Sequence, residues 1–196
     1  MRATHPSRVF MAVVQQNAPG DVSCGVPAMP CARQPEQPLC AHSANLRVFS
    51  MDARDAKGPV YARHVGSRMY RGEAFVMQVD AHNQFVRGWD VDVLAQWIAA
   101  QNEYAVLSTY LTDLKGSLSP DGTSLRRTRP IMCNSDFREN NVLLKYMRHG
   151  SQPEEVPIMS HQPMLQPFWG AGFSFSRGHW VVRVPYDCCL PGVFMG

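Results

Sequence analysis

Residues 68–97 read RMYRGEAFVMQVDAHNQFVRGWDVDVLAQW. The run Ala74-Phe75-Val76-Met77-Gln78-Val79 is short and apolar, and polar residues bound it on both sides. Such a run predicts a buried strand of a parallel sheet. It stops at Asp80-Ala81-His82, the carboxyl end where ligands sit in open α/β sheets. With one residue between them, Asp80 and His82 can share a face of an extended backbone. A carboxylate oxygen and an imidazole nitrogen make half of a divalent-metal site. A metal held there could neutralise the diphosphate of a nucleotide-activated substrate. The triplet alone also fits a polar strand end with no ligand role, so the surrounding chain has to carry the argument.

Upstream, Arg8 to Gln15 and Leu46 to Met51 are β-branched, apolar runs and predict two strands. Between them, residues 17–45 form a long loop rich in Pro, Gly and Cys. Gly58-Pro59 opens a helix with proline at the first position, where no donor is lost. Its buried face is Tyr61, Val65 and Met69. A second helix runs from Trp89-Asp90 to about Glu103. Asp90 is its predicted N-cap, Trp89 and Leu94 are placed as a hydrophobic staple, and Val91, Leu94, Trp97 and Ile98 form the buried stripe.

Ala105 to Tyr110 predicts another strand. Leu114 to Arg129 reads as loop, Val142 to Tyr146 as a short apolar piece and Pro153 to Pro167 as a Pro-rich segment. Trp169 to Phe175 reads as a strand whose two glycines suggest close approach of a ligand or backbone. Ser176 to Val184 reads as one short helix. The order strand, strand, helix, strand, helix, strand is an α/β pattern with a parallel sheet. One domain over residues 1–196 is expected.

The chain has 196 residues, 45% hydrophobic and 18% charged, with a formal net charge of +3. That composition is globular rather than disordered. A chain of this size normally buries roughly 70% of the surface its unfolded form exposes. The densest basic cluster, Arg126-Arg127-Thr128-Arg129, is too short to argue for nucleic acid and reads as a solvated loop. No apolar run reaches the ~18 residues that span a bilayer. The N-terminus lacks the apolar core of a secretory signal. The chain starts almost directly in a strand and ends at Phe194-Met195-Gly196 without a polar tail, so both ends are expected to be cut.

Of the six cysteines, Cys24, Cys31 and Cys40 share one loop with His42. Their spacing matches no zinc signature, and disulfides there suit a secretory setting. A zinc-loop interaction protein built on these residues is the weakest of the functional readings. Cys133 is isolated, and Cys188 and Cys189 are adjacent and do not easily bridge each other.

Several blocks in order carry a family resemblance. They are Ala56-Lys57-Gly58-Pro59 with Ala62-Arg63, then Tyr70 and Gly72-Glu73. Next come Gln78-Val79-Asp80-Ala81-His82, Phe85, Trp89-Asp90 and Leu107-Ser108-Thr109-Tyr110. The last are Ala171-Gly172-Phe173-Ser174-Phe175, Val184-Pro185-Tyr186-Asp187 and Leu190-Pro191 to Phe194. From about Pro6 to Gly196 the chain resembles the eukaryotic polypeptide GlcNAc-transferases, the cytosolic hydroxyproline enzymes and their mucin-directed relatives. More distantly it is similar to mucin-type GalNAc-transferases.

The resemblance implies a GT-A fold, a Rossmann-type nucleotide-diphospho-sugar transferase sheet, here incomplete. It implies UDP-GlcNAc as donor, a protein Ser, Thr or hydroxyproline hydroxyl as acceptor, retention of anomeric configuration, and manganese or magnesium as cofactor. Asp80 and His82 match the family's metal motif. Arg63 matches a donor-facing arginine, and Ala171 and Gly172 match the small residues under the donor sugar, so Arg63, Asp80, Ala171 and Gly172 are the donor-binding candidates. Tyr186 and Asp187 match acceptor-side positions, with no catalytic step assigned. His179 is weighed as a third metal ligand against a helix-surface histidine, and the surface reading is preferred.

The family opens with a strand and turn that hold uridine, and carries a Gly-Glu-Glu motif where this chain stops. The chain is therefore expected to be a fragment of the catalytic domain. The alternative is a truncated, non-catalytic relative acting as a binding module. Cytoplasm and Golgi lumen are both open as compartments.

Overall fold

In chain order the elements are β1 (Met11–Asn17), α1 (Pro38–Ala41), β2 (Leu46–Asp52), α2 (Pro59–Ser67), β3 (Phe75–Val79) and α3 (Trp89–Ala99). Then follow β4 (Leu107–Ser108), β5 (Thr128–Pro130), β6 (Ser135–Glu139), β7 (Lys145–His149), β8 (Glu155–Pro157), β9 (Phe173–Arg177) and α4 (Trp180–Arg183). This is a mixed α/β fold with small sheets. The computed structural model describes residues 2–109, 111–112, 114–125, 128–130, 135–139, 145–149, 155–157, 163–166, 169–190 and 192. The expectations for Tyr110, the Arg126-Arg127 pair, Cys133, most of Val142 to Tyr146 and of Pro153 to Pro167, and Pro191 with residues 193–196 lie outside the described residues. The chain divides into two compact units, one of residues 5–74 and 178–196, the other of residues 2–4 and 75–177.

In the first unit β1 and β2 pair in parallel, Met11 opposite Leu46 through Asn17 opposite Asp52. The run Leu46 to Met51 is β2, extended by Asp52, whereas the first strand starts later than expected: Arg8 lies in a 3-10 turn over Pro6–Arg8, and β1 begins at Met11 and runs on to Asn17. α2 lies on β1, with Gly66 facing the Val14 side chain. Its start follows the sequence. Gly58 takes φ 92°, a left-handed value that glycine adopts without a Cβ penalty, and Pro59 opens the first turn. Val60 and Met69 are the buried apolar side chains of this unit among the described residues. Tyr61 and Val65, expected on the buried face, are half-buried. Burying Val60 and Met69 stabilises by about 1.5–3 kcal/mol each. The Arg71 guanidinium stacks on Phe10, 3.4 Å from the ring centroid.

The loop between β1 and β2 is not structureless. It contains α1, a 3-10 turn at Ser43–Asn45, and a disulfide between Cys31 and Cys40. That bond consumes two of the thiols on which a zinc loop would have rested, and overturns that reading.

In the second unit the strand predicted from the apolar run is β3. The parallel, buried sheet expected around it is not what forms. β3 pairs antiparallel with β9, Phe75 opposite Arg177 through Val79 opposite Phe173, and β9 pairs antiparallel with β4. The order is β3-β9-β4, and every residue of β3 is half-buried rather than buried. The partner strand comes from the far end of the sequence, which the local pattern cannot reveal. The segment read as a strand from Trp169 forms its turn at Ala171-Gly172 first and pairs only from Phe173. The helix predicted from Ser176 is confined to α4, because Ser176 and Arg177 are taken by β9.

An aromatic cluster joins this sheet to α3. Phe75 stacks on Phe175 with centroids 5.2 Å apart and meets Trp97 edge-on at 5.0 Å. The Trp97 indole N–H donates to Ala105 O at 2.9 Å. Arg177 lies over both Phe75 and Trp97 and pairs with Glu103.

The stripe expected on α3 is only partly correct. Trp97 is buried and Leu94 half-buried, but Val91 and Ile98 are exposed. The predicted cap is corrected too. Gly88, at φ 73°, is the N-cap, and Asp90 lies in the first turn. There its carboxylate accepts from the backbone N–H of Thr4 at 2.7 Å. Backbone pairing also joins β5 to β8 and β6 to β7, both antiparallel. Among the described residues no helix is long and apolar enough to cross a membrane.

Candidate functional site

The end of β3 is locked to the Gly-rich turn before β9. The Asp80 N–H donates to Gly172 O at 3.1 Å. Gln78 Nε2 donates to Ala171 O at 2.8 Å, and Asn83 Nδ2 donates to Asp80 O at 2.8 Å and reaches Gly172 O at 3.5 Å. Ser108, on β4, closes the other side of the turn. Its hydroxyl donates to Gly170 O or Phe173 O, at 3.1 and 2.9 Å, and accepts from Gly170 N at 2.7 Å.

Two segments about ninety residues apart therefore form one corner. Asp80, Ala171 and Gly172, three of the residues singled out from sequence, meet in it. The Asp80 carboxylate lies directly against Gly172. A Cβ added there would stand 3.0 Å from Oδ2. Asp80 is half-buried and His82 exposed. Contrary to the expected extended backbone, Ala81 and His82 form a turn. The period-two reason for a shared face stops at Asp80. The geometry that could bring His82 beside Asp80 is that of the turn.

The donor types still suit a hard divalent ion. A carboxylate and an imidazole leave most of the shell to water and phosphate oxygens, which is how magnesium-class ions are usually held. Among the described residues, no group of three close ligating side chains includes Asp80 or His82. His179 is exposed and flanks α4 as its N-cap residue, in the first unit.

Arg63, Tyr186 and Asp187 belong to the first unit and are described there. Arg63 lies one turn into α2, half-buried, with its Nη1 shielded from solvent, as is the Tyr186 hydroxyl. Its neighbour His64 ties α2 to the Tyr186 segment. Tyr186 O can only accept, so His64 Nδ1 carries the proton of their 2.6 Å hydrogen bond. Asp187 is exposed, and its Oδ1 accepts from Cys189 N at 2.7 Å. The Cys188 sulfur stands 3.1 Å from that of Cys189 and, with the Asp187 charge, pushes the Cys189 thiol pKa up.

Sequence reasoning missed four residues that hold these segments. Gln78, Asn83 and Ser108 position the corner, and His64 positions Tyr186. Gln78 and Ser108 lie within the blocks that carry the resemblance, so a signal was present. Nothing in the sequence marks Asn83 or His64.

A family model described as "Glycosyltransferase (GlcNAc)" matches residues 26–196. No curated protein and no solved structure matches the chain.

Proposed function

Since the chain belongs to the glycosyltransferase (GlcNAc) family and is thereby a glycosyltransferase, we propose that it moves GlcNAc from UDP-GlcNAc to a Ser, Thr or hydroxyproline hydroxyl of a protein. We propose further that the fold is of GT-A type and that the transfer retains anomeric configuration. The observation that supports this reading best is the corner itself, in which the Asp80 carboxylate packs against the side-chain-free Gly172.

A corner of that kind suits a nucleotide sugar. Ala171 and Gly172 offer a floor with almost no side chain, on which a sugar ring can lie. The backbone that carries the carboxylate is held at both its N–H and its carbonyl, by Gly172 O and by Asn83 Nδ2. Asp80 and His82 would hold manganese or magnesium, which supplies charge stabilisation for the leaving diphosphate without a proton donor. In the first unit, Arg63 is proposed to serve a diphosphate oxygen, where a guanidinium forms strong paired hydrogen bonds. Tyr186 and Asp187 are proposed to serve the acceptor.

Calorimetric titration of UDP-GlcNAc with manganese, repeated with chelator, tests the reading. Donor binding that needs the metal and falls at least tenfold in Asp80→Asn supports it. Binding unaffected by chelator, or by Asp80→Asn, removes the metal assignment. Transfer of labelled GlcNAc to a hydroxyproline- or Thr-containing peptide tests the acceptor class separately.

A further inference from the structure

We propose that Asp187, Cys188 and Cys189 form a second cation site, for a thiophilic divalent ion of the zinc class. The proposal does not depend on the donor-site reading. The ligating atoms of these three side chains all lie within 4.8 Å of one another, and among the described residues they are the group of three that does so. Zinc holds sulfur at about 2.3 Å and carboxylate oxygen at about 2.1 Å, so two tetrahedral ligands of one ion stand roughly 3.5–3.8 Å apart. The two sulfurs are 3.1 Å apart. Two sulfurs take the upper end of that range, so separating them by about 0.7 Å brings them to that spacing, within reach of small side-chain rotations.

Adjacent cysteines are poorly placed to bond to each other, because the peptide between them makes a tight ring. An ion between the sulfurs widens that ring. The pair is thus better suited to chelation than to a disulfide. Both thiols are exposed, so an ion reaches them without opening the structure. The carboxylate is already oriented, because Cys189 N–H holds Asp187 Oδ1 and leaves Oδ2 for the ion.

The segment is tied down on either side. His64 Nδ1–H holds Tyr186 O at 2.6 Å, and Gly192 N–H holds Lys57 O at 2.8 Å. Three protein ligands leave a fourth position for water or a ligand atom, the pattern of open rather than purely structural zinc sites. Thiolate ligands also separate this site chemically from the Asp80 and His82 pair, whose oxygen and nitrogen donors suit a harder ion. The other described thiols are not competitors. Cys31 and Cys40 are joined, and Cys24 stands alone with its sulfur on Gln15 Oε1.

The test is a titration of the full chain with Cd²⁺, its Cys31–Cys40 disulfide intact and Cys188 and Cys189 as free thiols, following the ultraviolet thiolate-to-cadmium charge-transfer band, with Zn²⁺ then added as competitor. The parent is expected to saturate at one equivalent and to lose the band to zinc. Cys24→Ser, Cys133→Ser, Asp80→Ala and the double Cys31→Ser/Cys40→Ser variant are expected to keep it. Cys188→Ser and Cys189→Ser are expected to weaken binding at least tenfold. Asp187→Asn is expected to weaken binding severalfold with the band retained. Circular dichroism without metal checks that each variant is folded. The proposal is overturned if the parent shows no band, or if the band survives both Cys188→Ser and Cys189→Ser.

Discussion

Replacing Gly172 by alanine examines the corner with a single methyl. That methyl would stand 3.0 Å from Asp80 Oδ2 and 3.7 Å from its Cγ. Non-bonded heavy atoms settle near 3.5 Å or beyond, so the carboxylate must retreat by about half an ångström. The Gly172 backbone is outside the left-handed region, so alanine adds no strain of its own. The cost falls on the Asp80 side chain, and an off-rotamer shift of that size costs about 0.5–1.5 kcal/mol. In a chain of this length, that lowers Tm by roughly 1–6 °C.

Donor binding should suffer more. Metal–ligand distances hold to about ±0.2 Å, so a carboxylate displaced by half an ångström no longer ligates well. Disturbing a ligand's support costs about 10–100-fold in metal affinity. Gly172→Ala is therefore expected to raise the Kd for UDP-GlcNAc in manganese at least tenfold while the protein stays folded. Calorimetry measures the first effect and thermal denaturation the second. In an Asp80→Ala background the same methyl should do nothing further, because what it displaces is gone. Parent-like, metal-dependent donor affinity in Gly172→Ala would refute the reasoning.

Gly178→Ala tests a different contact. The added Cβ would fall 1.9 Å from Glu73 O and 2.6 Å from the Tyr70 hydroxyl. A backbone oxygen cannot swing aside, so the loss should exceed about 3 kcal/mol, read as a sharply lower denaturant midpoint. His82→Ala removes an exposed turn residue, so thermal stability should stay within about 0.5 kcal/mol while manganese-dependent donor binding weakens; unchanged binding would remove His82 from the metal site. Asp90→Ala should cost about 1 kcal/mol through the lost Thr4 hydrogen bond; chemical denaturation that finds no loss would contradict that contact.

Asp121 gives a pH prediction. Hydrogen bonds from Ser119 and Thr123 lower its pKa from 3.8 to about 2. A carboxylate depressed on folding contributes stability that is present above the unfolded value and lost as pH falls through the folded one. Asp121→Asn should therefore flatten the acid limb of a stability–pH curve between about pH 4 and pH 2; an unchanged limb there would argue against the turn's hydrogen bonds.

What the sequence disclosed and what it withheld follow a physical division. β1, β2, α2 and β3 were legible because each is specified locally, by β-branched runs or by Gly58-Pro59. The direction of the β3 sheet was not legible, because β9 arrives from residues 173–177 and no local pattern encodes its partner. Asp90 was misassigned for a related reason. As an isolated residue it is a good cap, but Gly88 can take the left-handed turn and Thr4 claims the carboxylate. On the candidate site, the family blocks identified Asp80, Ala171 and Gly172, and the fold brings them together. The residues that fasten the corner bind backbone carbonyls, and almost any amide or hydroxyl side chain could do so. Asn83 therefore carries no mark in the sequence.

The aromatic cluster gives the protein a natural lamp. Trp97 is enclosed, with its indole nitrogen bonded to Ala105 O, whereas Trp169 and Trp180 are more than a third exposed. Excited at the red edge of tryptophan absorption, and with the half-buried Trp89 replaced by Phe so that its light does not overlap, Trp97 should emit at shorter wavelength than Trp169 and Trp180 and should resist quenching by iodide. Its emission therefore reports whether Phe75 and Phe175, and with them the β3–β9 pairing that sets Asp80 against Gly172, remain in place. Unfolding of the Asp80–Gly172 corner can be watched by its colour, without a label and without a substrate.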